Sequence, residues 1–137
     1  MTNANTQKRV LYIGQLPETV DFSDPALPPG TDAAKIHKGI QAAMQQMADS
    51  GLDADLCLIS PDDTAVTDLE HQFSRITYDC VVIGGGLRVP PKSLVLFETV
   101  INTVHRLAPY AAIAFNTTPE DTAAAAQRWV SNRKRAQ

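Results

Sequence analysis

Tyr78-Asp79-Cys80-Val81-Val82-Ile83-Gly84-Gly85-Gly86-Leu87-Arg88-Val89-Pro90-Pro91 is the stretch on which the fold turns. Val81, Val82 and Ile83 form an unbroken β-branched run, the pattern of a strand buried on both faces of a parallel sheet. The three glycines that follow open backbone conformations closed to other residues, and Pro90 and Pro91 stop the strand from continuing. Beyond them Leu94, Leu96, Phe97, Val100, Ile101, Val104, Leu107 and Ala108 recur at helical spacing over an arc of roughly 160°. Strand, glycine turn and apolar helix make one α/β unit, and the space above the turn is where a ligand crevice is expected.

Upstream, Arg9-Val10-Leu11-Tyr12-Ile13-Gly14 reads as the first strand and Ala54-Asp55-Leu56-Cys57-Leu58-Ile59 as the second. Between them, residues 15–30 carry Pro17, Pro25, Pro28 and Pro29, which makes this long connection a stiff flap rather than a linker. Thr31 or Asp32 can cap the next helix, whose Ile36, Ile40, Ala43, Met44 and Met47 form one stripe ending at Ser50-Gly51. After Ser60-Pro61-Asp62-Asp63, the pattern Thr67-x-x-Glu70 offers a capping box for a helix carrying Val66, Leu69, Phe73 and Ile76. Downstream, Pro109 ends the apolar helix and Tyr110–Phe115 reads as the fourth strand. Thr118-Pro119-Glu120-Asp121 starts a last helix with Trp129 and Val130, ending in the cationic Arg133-Lys134-Arg135.

Strand and helix thus alternate four times without an internal repeat. Short connections between such elements require a parallel sheet with right-handed crossovers. The expected fold is a three-layer α/β/α sandwich in one domain spanning 1–137, with a four-stranded parallel sheet in the order 2-1-3-4 and a disordered or loosely held tail at 1–8. At this length roughly two thirds of the unfolded surface can be buried.

A net charge of −3 on 137 residues argues against a general nucleic-acid binder. The charge is unevenly spread, −9 over residues 10–79 and +4 over residues 80–137, an asymmetry able to orient a partner or a second copy of the chain. No apolar segment near the amino terminus has the length of a signal peptide or membrane span, so no membrane association and a cytoplasmic location are expected. Cys57 and Cys80 sit in apolar strand runs with no Cys or His at metal-ligand spacing, so buried reduced thiols are expected and no metal site. His37, His71 and His105 are scattered, with no nucleophile placed beside them, and a catalytic triad is unsupported.

In architecture, over the whole chain, this alternation is similar to flavodoxin-like and response-receiver domains, and the chain resembles small bacterial α/β proteins of Rossmann-like build. The receiver pattern asks for an acidic pair ending the first strand and an aspartate ending the third; here those ends read Ile13-Gly14-Gln15 and Gly84-Gly85-Gly86. The loop Gly14-Gln15-Leu16-Pro17-Glu18-Thr19 is not the Ser/Thr-rich phosphate loop of flavodoxins. No characterised family's functional motif is therefore carried over, and no cofactor or reaction is named.

In a doubly wound sheet of order 2-1-3-4, ligands bind beyond the carboxyl ends of the first and third strands, where the order reverses. The candidate ligand-binding residues are Gly14, Gln15, Gly84, Gly85, Gly86, Arg88, Asn116 and Thr117. Gly84-x-Gly86-x-x-Val89 is only a fragment of the dinucleotide fingerprint, and no Walker lysine follows it. Amides freed by the glycines, with Arg88, would suit a small anion; the alternative is a plain tight turn below the helix. Two roles stand open. One is a small-molecule-binding protein or minor enzyme with an anionic ligand in the crevice. The other is a homodimeric interaction module without catalytic activity, built on the surplus apolar edge of the helix after the glycines (Leu96, Val100, Leu107).

Overall fold

β1 (Arg9–Gln15) is the spine of the molecule, paired in parallel with β2 (Asp53–Ile59) on one side and β3 (Cys80–Ile83) on the other. β4 (Ala112–Phe115) pairs in parallel with β3, so the sheet runs β2-β1-β3-β4, the expected order. The computed structural model describes residues 7–130; the start of the expected tail (residues 1–6) and Arg133-Lys134-Arg135 lie outside them. From Gln7 onward the chain is held: Gln7 Nε2 donates to Gly51 O at 3.2 Å and Asp53 N to Lys8 O at 2.9 Å.

Five helices flank the sheet: α1 (Ala33–Asp49), α2 (Thr64–Arg75), the one-turn α3 (Gly85–Arg88), α4 (Leu94–Leu107) and α5 (Thr122–Val130). Alternation along β1 sends Val10 and Tyr12 to one face and Leu11 and Ile13 to the other, and all four are buried. The first face packs against α1 and α5 through Ile40, Ala43, Met47, Ala125 and Ala126. The second packs against α2, α3 and α4 through Leu69, Leu87, Val100 and Val104. Both faces of β3 are buried throughout, as its unbroken apolar run requires.

The caps of α1 follow the sequence. The Asp32 side chain accepts from Lys35 N at 2.8 Å, and Gly51 takes the left-handed conformation (φ 83°) that ends the helix. Thr118 and Asp121 form a reciprocal capping box over the 3₁₀ turn Pro119–Asp121 that leads into α5. α2 differs. It begins at Thr64, one turn before the expected Thr67-x-x-Glu70 box, because the Asp62 carboxylate accepts from both the amide and the hydroxyl of Thr64 and turns the chain there. The Asp62 carboxylate is thus spent on starting a helix, while the Asp63 side chain makes no cap hydrogen bond.

Two further expectations are corrected. Among the described residues only Gly30 and Gly51 have positive φ, so the glycine run is not a left-handed turn. Gly84 is still extended (φ −68°, ψ 148°) and the chain then coils into α3, pinned by the fully buried Leu87. The apolar arc of α4 is also not surplus where Leu96, Val100 and Leu107 were expected to meet a partner. Val100 is fully buried and Leu96 and Leu107 are half-buried, because α4 packs against α2 as well as the sheet. A wide arc is what contact with two neighbours demands. The large apolar side chains of α4 left in solvent are Leu94 and Val95, 57% and 72% exposed.

Cys57 and Cys80 are buried and form no disulfide. They flank β1 at Ile13 and Val10 and belong to opposite faces of the sheet. Two strand spacings plus a three-residue offset separate them by roughly 14 Å, about twice the reach of a disulfide. Burial, with Asp68 nearby, pushes the Cys57 thiol up to about 11.

Candidate functional site

Parallel strands joined by right-handed crossovers put the carboxyl end of every strand, and the amino end of every following helix, at the same end of the sheet. Here that end holds a cavity of about 390 Å³ between β1 and β3. Its floor is Tyr12, Gly14, Gln15 and Gly84–Gly86, and one wall is Thr31, Lys35, Ile36 and Ile40 of α1 and its approach. The flap contributes Val20, Ala26, Leu27 and Pro28, and Thr117 through Glu120 close the far end. A second hollow of about 190 Å³ continues beneath the flap toward α4, against Asp21, Asp24, Lys92, Ser93 and Leu96. A more open depression of about 430 Å³ lies at the other end of the sheet, around Lys8, Gly51 and Val130, where no helix begins.

The flap is tied down at both sides. Its Pro17–Thr19 segment is a 3₁₀ turn, and Gln15 Nε2 donates to the Thr19 carbonyl (3.2 Å) and hydroxyl (3.1 Å). Glu18 meets His37 of α1 at 2.8 Å, and Asp21 is ion-paired with Lys92 before α4. Hydrogen bonding from His37 lowers the Glu18 carboxyl; the Lys92 hydrogen bond, with Ser23, holds Asp21 at about 2. Gly30 (φ 81°) lets the flap fold back onto α1, where Lys35 Nζ lies 3.4 Å from the position its Cβ would take.

Of the residues chosen from the sequence, Gly14, Gln15, Gly84, Gly85, Gly86 and Thr117 line the cavity. Asn116 lies behind it, 1% exposed, and acts as a brace. Its Oδ1 accepts from Gly85 N at 2.7 Å, and its Nδ2 donates to Thr122 Oγ1 at 2.8 Å and to the Tyr12 hydroxyl at 3.3 Å. Burial raises the Tyr12 phenol above its ordinary value. Arg88 is taken up elsewhere: its Nη2 donates to the Asn116 carbonyl at 2.8 Å, and its guanidinium stands 5.6 Å from the centre of the Phe115 ring. The glycine amides are mostly committed too. Gly84 N donates to Ile13 O and Gly85 N to Asn116, and only Gly86 N lacks an acceptor among the described residues.

The cation that does face the cavity is Lys35, whose ammonium makes no hydrogen bond or ion pair among the described residues. The signal for it was topological. A residue in the first turn of the helix after β1 must sit above the switch point, and a lysine there opposes the helix dipole instead of complementing it. The apolar wall (Val20, Leu27, Ile36, Ile40) and the acidic Glu120 at the far end were equally invisible without the flap's path. Among the described residues no three His, Cys, Asp or Glu side chains gather where they could hold a metal ion, and no helix is long and apolar enough to cross a membrane.

Compared with models of protein families, with curated proteins and with solved structures, the chain matches none.

Proposed function

We propose that this chain is a small-molecule-binding protein that takes an anionic ligand in the crevice between β1 and β3, under the flap. The observation that carries the reading is the 390 Å³ cavity at the switch point, walled mainly by apolar side chains and carrying the Lys35 ammonium, which has no partner among the described residues. A few polar groups on an apolar wall are the usual make-up of a ligand site. The positive end of the 17-residue helix α1 opens on the same space and favours negative charge there. Buried thiols at Cys57 and Cys80, not joined as a disulfide, suit a reducing compartment, and on that ground we place the protein in the cytoplasm.

The test is a thermal-shift screen of nucleotides, sugar phosphates and carboxylates on wild type, Lys35→Ala and Arg88→Ala. At least one anion is expected to stabilise the wild type. A charge-assisted contact is worth about 1.5–3 kcal/mol, so Lys35→Ala should weaken that binding by about ten- to a hundredfold, with Arg88→Ala affecting it less. The reading is overturned if no anion stabilises the wild type, or if Lys35→Ala binds as the wild type does.

Homodimerisation is a second reading, favoured by the exposure of Val89 (51%), Leu94 (57%) and Val95 (72%) where α3 passes into α4. Sedimentation at tens of micromolar should then show a wild-type dimer and a monomeric, folded Leu94→Glu/Val95→Glu variant. A monomeric wild type removes the idea.

A further inference from the structure

Two of the three glycines in the turn are accounted for by packing and one is not. A Cβ at Gly84 would stand 3.3 Å from the Ile13 carbonyl, and one at Gly85 would stand 3.0 Å from the Thr117 carbonyl. A Cβ at Gly86 would meet nothing within 4 Å, and Gly86 has no positive φ. It sits inside the one-turn helix α3, where glycine is a poorer choice than alanine. Backbone geometry and packing therefore leave the absence of a side chain at position 86 unexplained.

Its position supplies a reason. Gly86 lines both the 390 Å³ cavity and the 190 Å³ hollow beneath the flap, and the two share Gln15, Val20, Leu27, Ile36 and Pro90 besides. Gly86 thus borders both lobes where they meet, and a side chain there would add bulk at that boundary in space that is open now. Lys35 stands in the larger lobe and not in the smaller one. The smaller lobe is walled chiefly by apolar atoms, and its one cation, Lys92, is already paired with Asp21. The remaining charged side chain of the smaller lobe, Asp24, is acidic, so no cation there is left for a second anionic group.

We infer that the two lobes are one elongated site whose ligand is an amphipathic acid: its anionic head at Lys35, its apolar body crossing Gly86 into the hollow toward Leu96. This rests on the anion reading above and narrows it to a ligand class. Gly86 is then a specificity-determining residue that sets the length of ligand admitted.

Straight-chain monocarboxylates from butanoate to dodecanoate are the probe, titrated calorimetrically into wild type, Gly86→Val and Gly86→Ala. On the wild type, affinity should rise about fourfold per added methylene while the chain is filling buried apolar space, then level off. Gly86→Val should bind the shortest acids that bind the wild type equally well and lose tenfold or more on the longest. Gly86→Ala should show the same pattern more weakly, and it decides the matter if the valine variant does not fold. Short acids that bind with no gain along the series overturn the single elongated site and leave the anion reading standing. Equal losses on short and long acids in the Gly86 variants also overturn it. If no acid binds, and no other anion does in the screen above, both fall together.

Discussion

Replacing Asn116 with leucine is expected to lower the unfolding free energy by about 2–4 kcal/mol and the melting midpoint by roughly 10 °C. Leucine keeps the branching of asparagine but is bulkier, so the loss of the polar contacts and some overpacking act in the same direction. Asn116 is 1% exposed and joins three elements: Gly85 at the start of α3, Tyr12 on β1 and Thr122 at the start of α5. Without it the Gly85 amide loses its acceptor, and an orphaned buried donor costs about 1–3 kcal/mol. The Tyr12 hydroxyl loses a donor as well, whereas Thr122 keeps its bond to the Pro119 carbonyl at 2.6 Å. Urea denaturation checks this, with the dependence on denaturant unchanged if the variant stays cooperative. A loss below about 1 kcal/mol would mean that water from the crevice takes over the Gly85 bond. Amide exchange at Gly85 reads the same bond directly and should become faster in the variant.

Most of the frame was legible because it rests on local rules. Val81-Val82-Ile83 announced a strand buried on both sides, and Asp32, Gly51 and the Thr118–Asp121 box marked helix ends that the structure keeps. The order β2-β1-β3-β4 followed from alternation, right-handed crossovers and the simplest doubly wound closure at this length. The cavity between β1 and β3 was legible in place, but the partners of the side chains around it were not. Arg88 looked like the free cation because nothing near it in sequence could claim it; the Asn116 carbonyl, 28 residues on, does. The Gly85 amide looked free for the same reason, yet its acceptor is 31 residues away. Lys35 looked like one more surface charge; it is exposed, but the path of the flap makes it part of the cavity wall. In α4 the arc of apolar residues was read correctly as wide, but whether a second copy or α2 fills the extra width is a tertiary fact. Long-range partners, not propensities, decide each of these.

Gly85→Ala and Gly86→Ala, neighbours in one helical turn, are expected to shift stability in opposite directions. Both exchanges gain the same intrinsic helix preference, roughly 0.5–1 kcal/mol. At Gly86 the new methyl enters open space, so that gain should appear as a small stabilisation. At Gly85 the methyl carbon would lie 3.0 Å from the Thr117 carbonyl oxygen, 3.5 Å from its carbon and 3.6 Å from the Asn116 oxygen. These are backbone atoms that cannot swing aside as a side chain would. The loop is also fastened, since the Thr117 amide donates to Asp121 Oδ1 at 2.9 Å and the Thr117 hydroxyl donates to Oδ2 of the same carboxylate. Relief must come from lifting α3, which loosens both the Gly85–Asn116 bond and the Arg88 bond to the Asn116 carbonyl. Overpacking of this kind costs about 1–3 kcal/mol, enough to exceed the helical gain. Chemical denaturation of the two single variants beside the wild type decides it. A Gly85→Ala protein as stable as Gly86→Ala would show that the Thr117 carbonyl gives way, and the requirement for glycine at 85 would then have to come from the crevice instead of from packing.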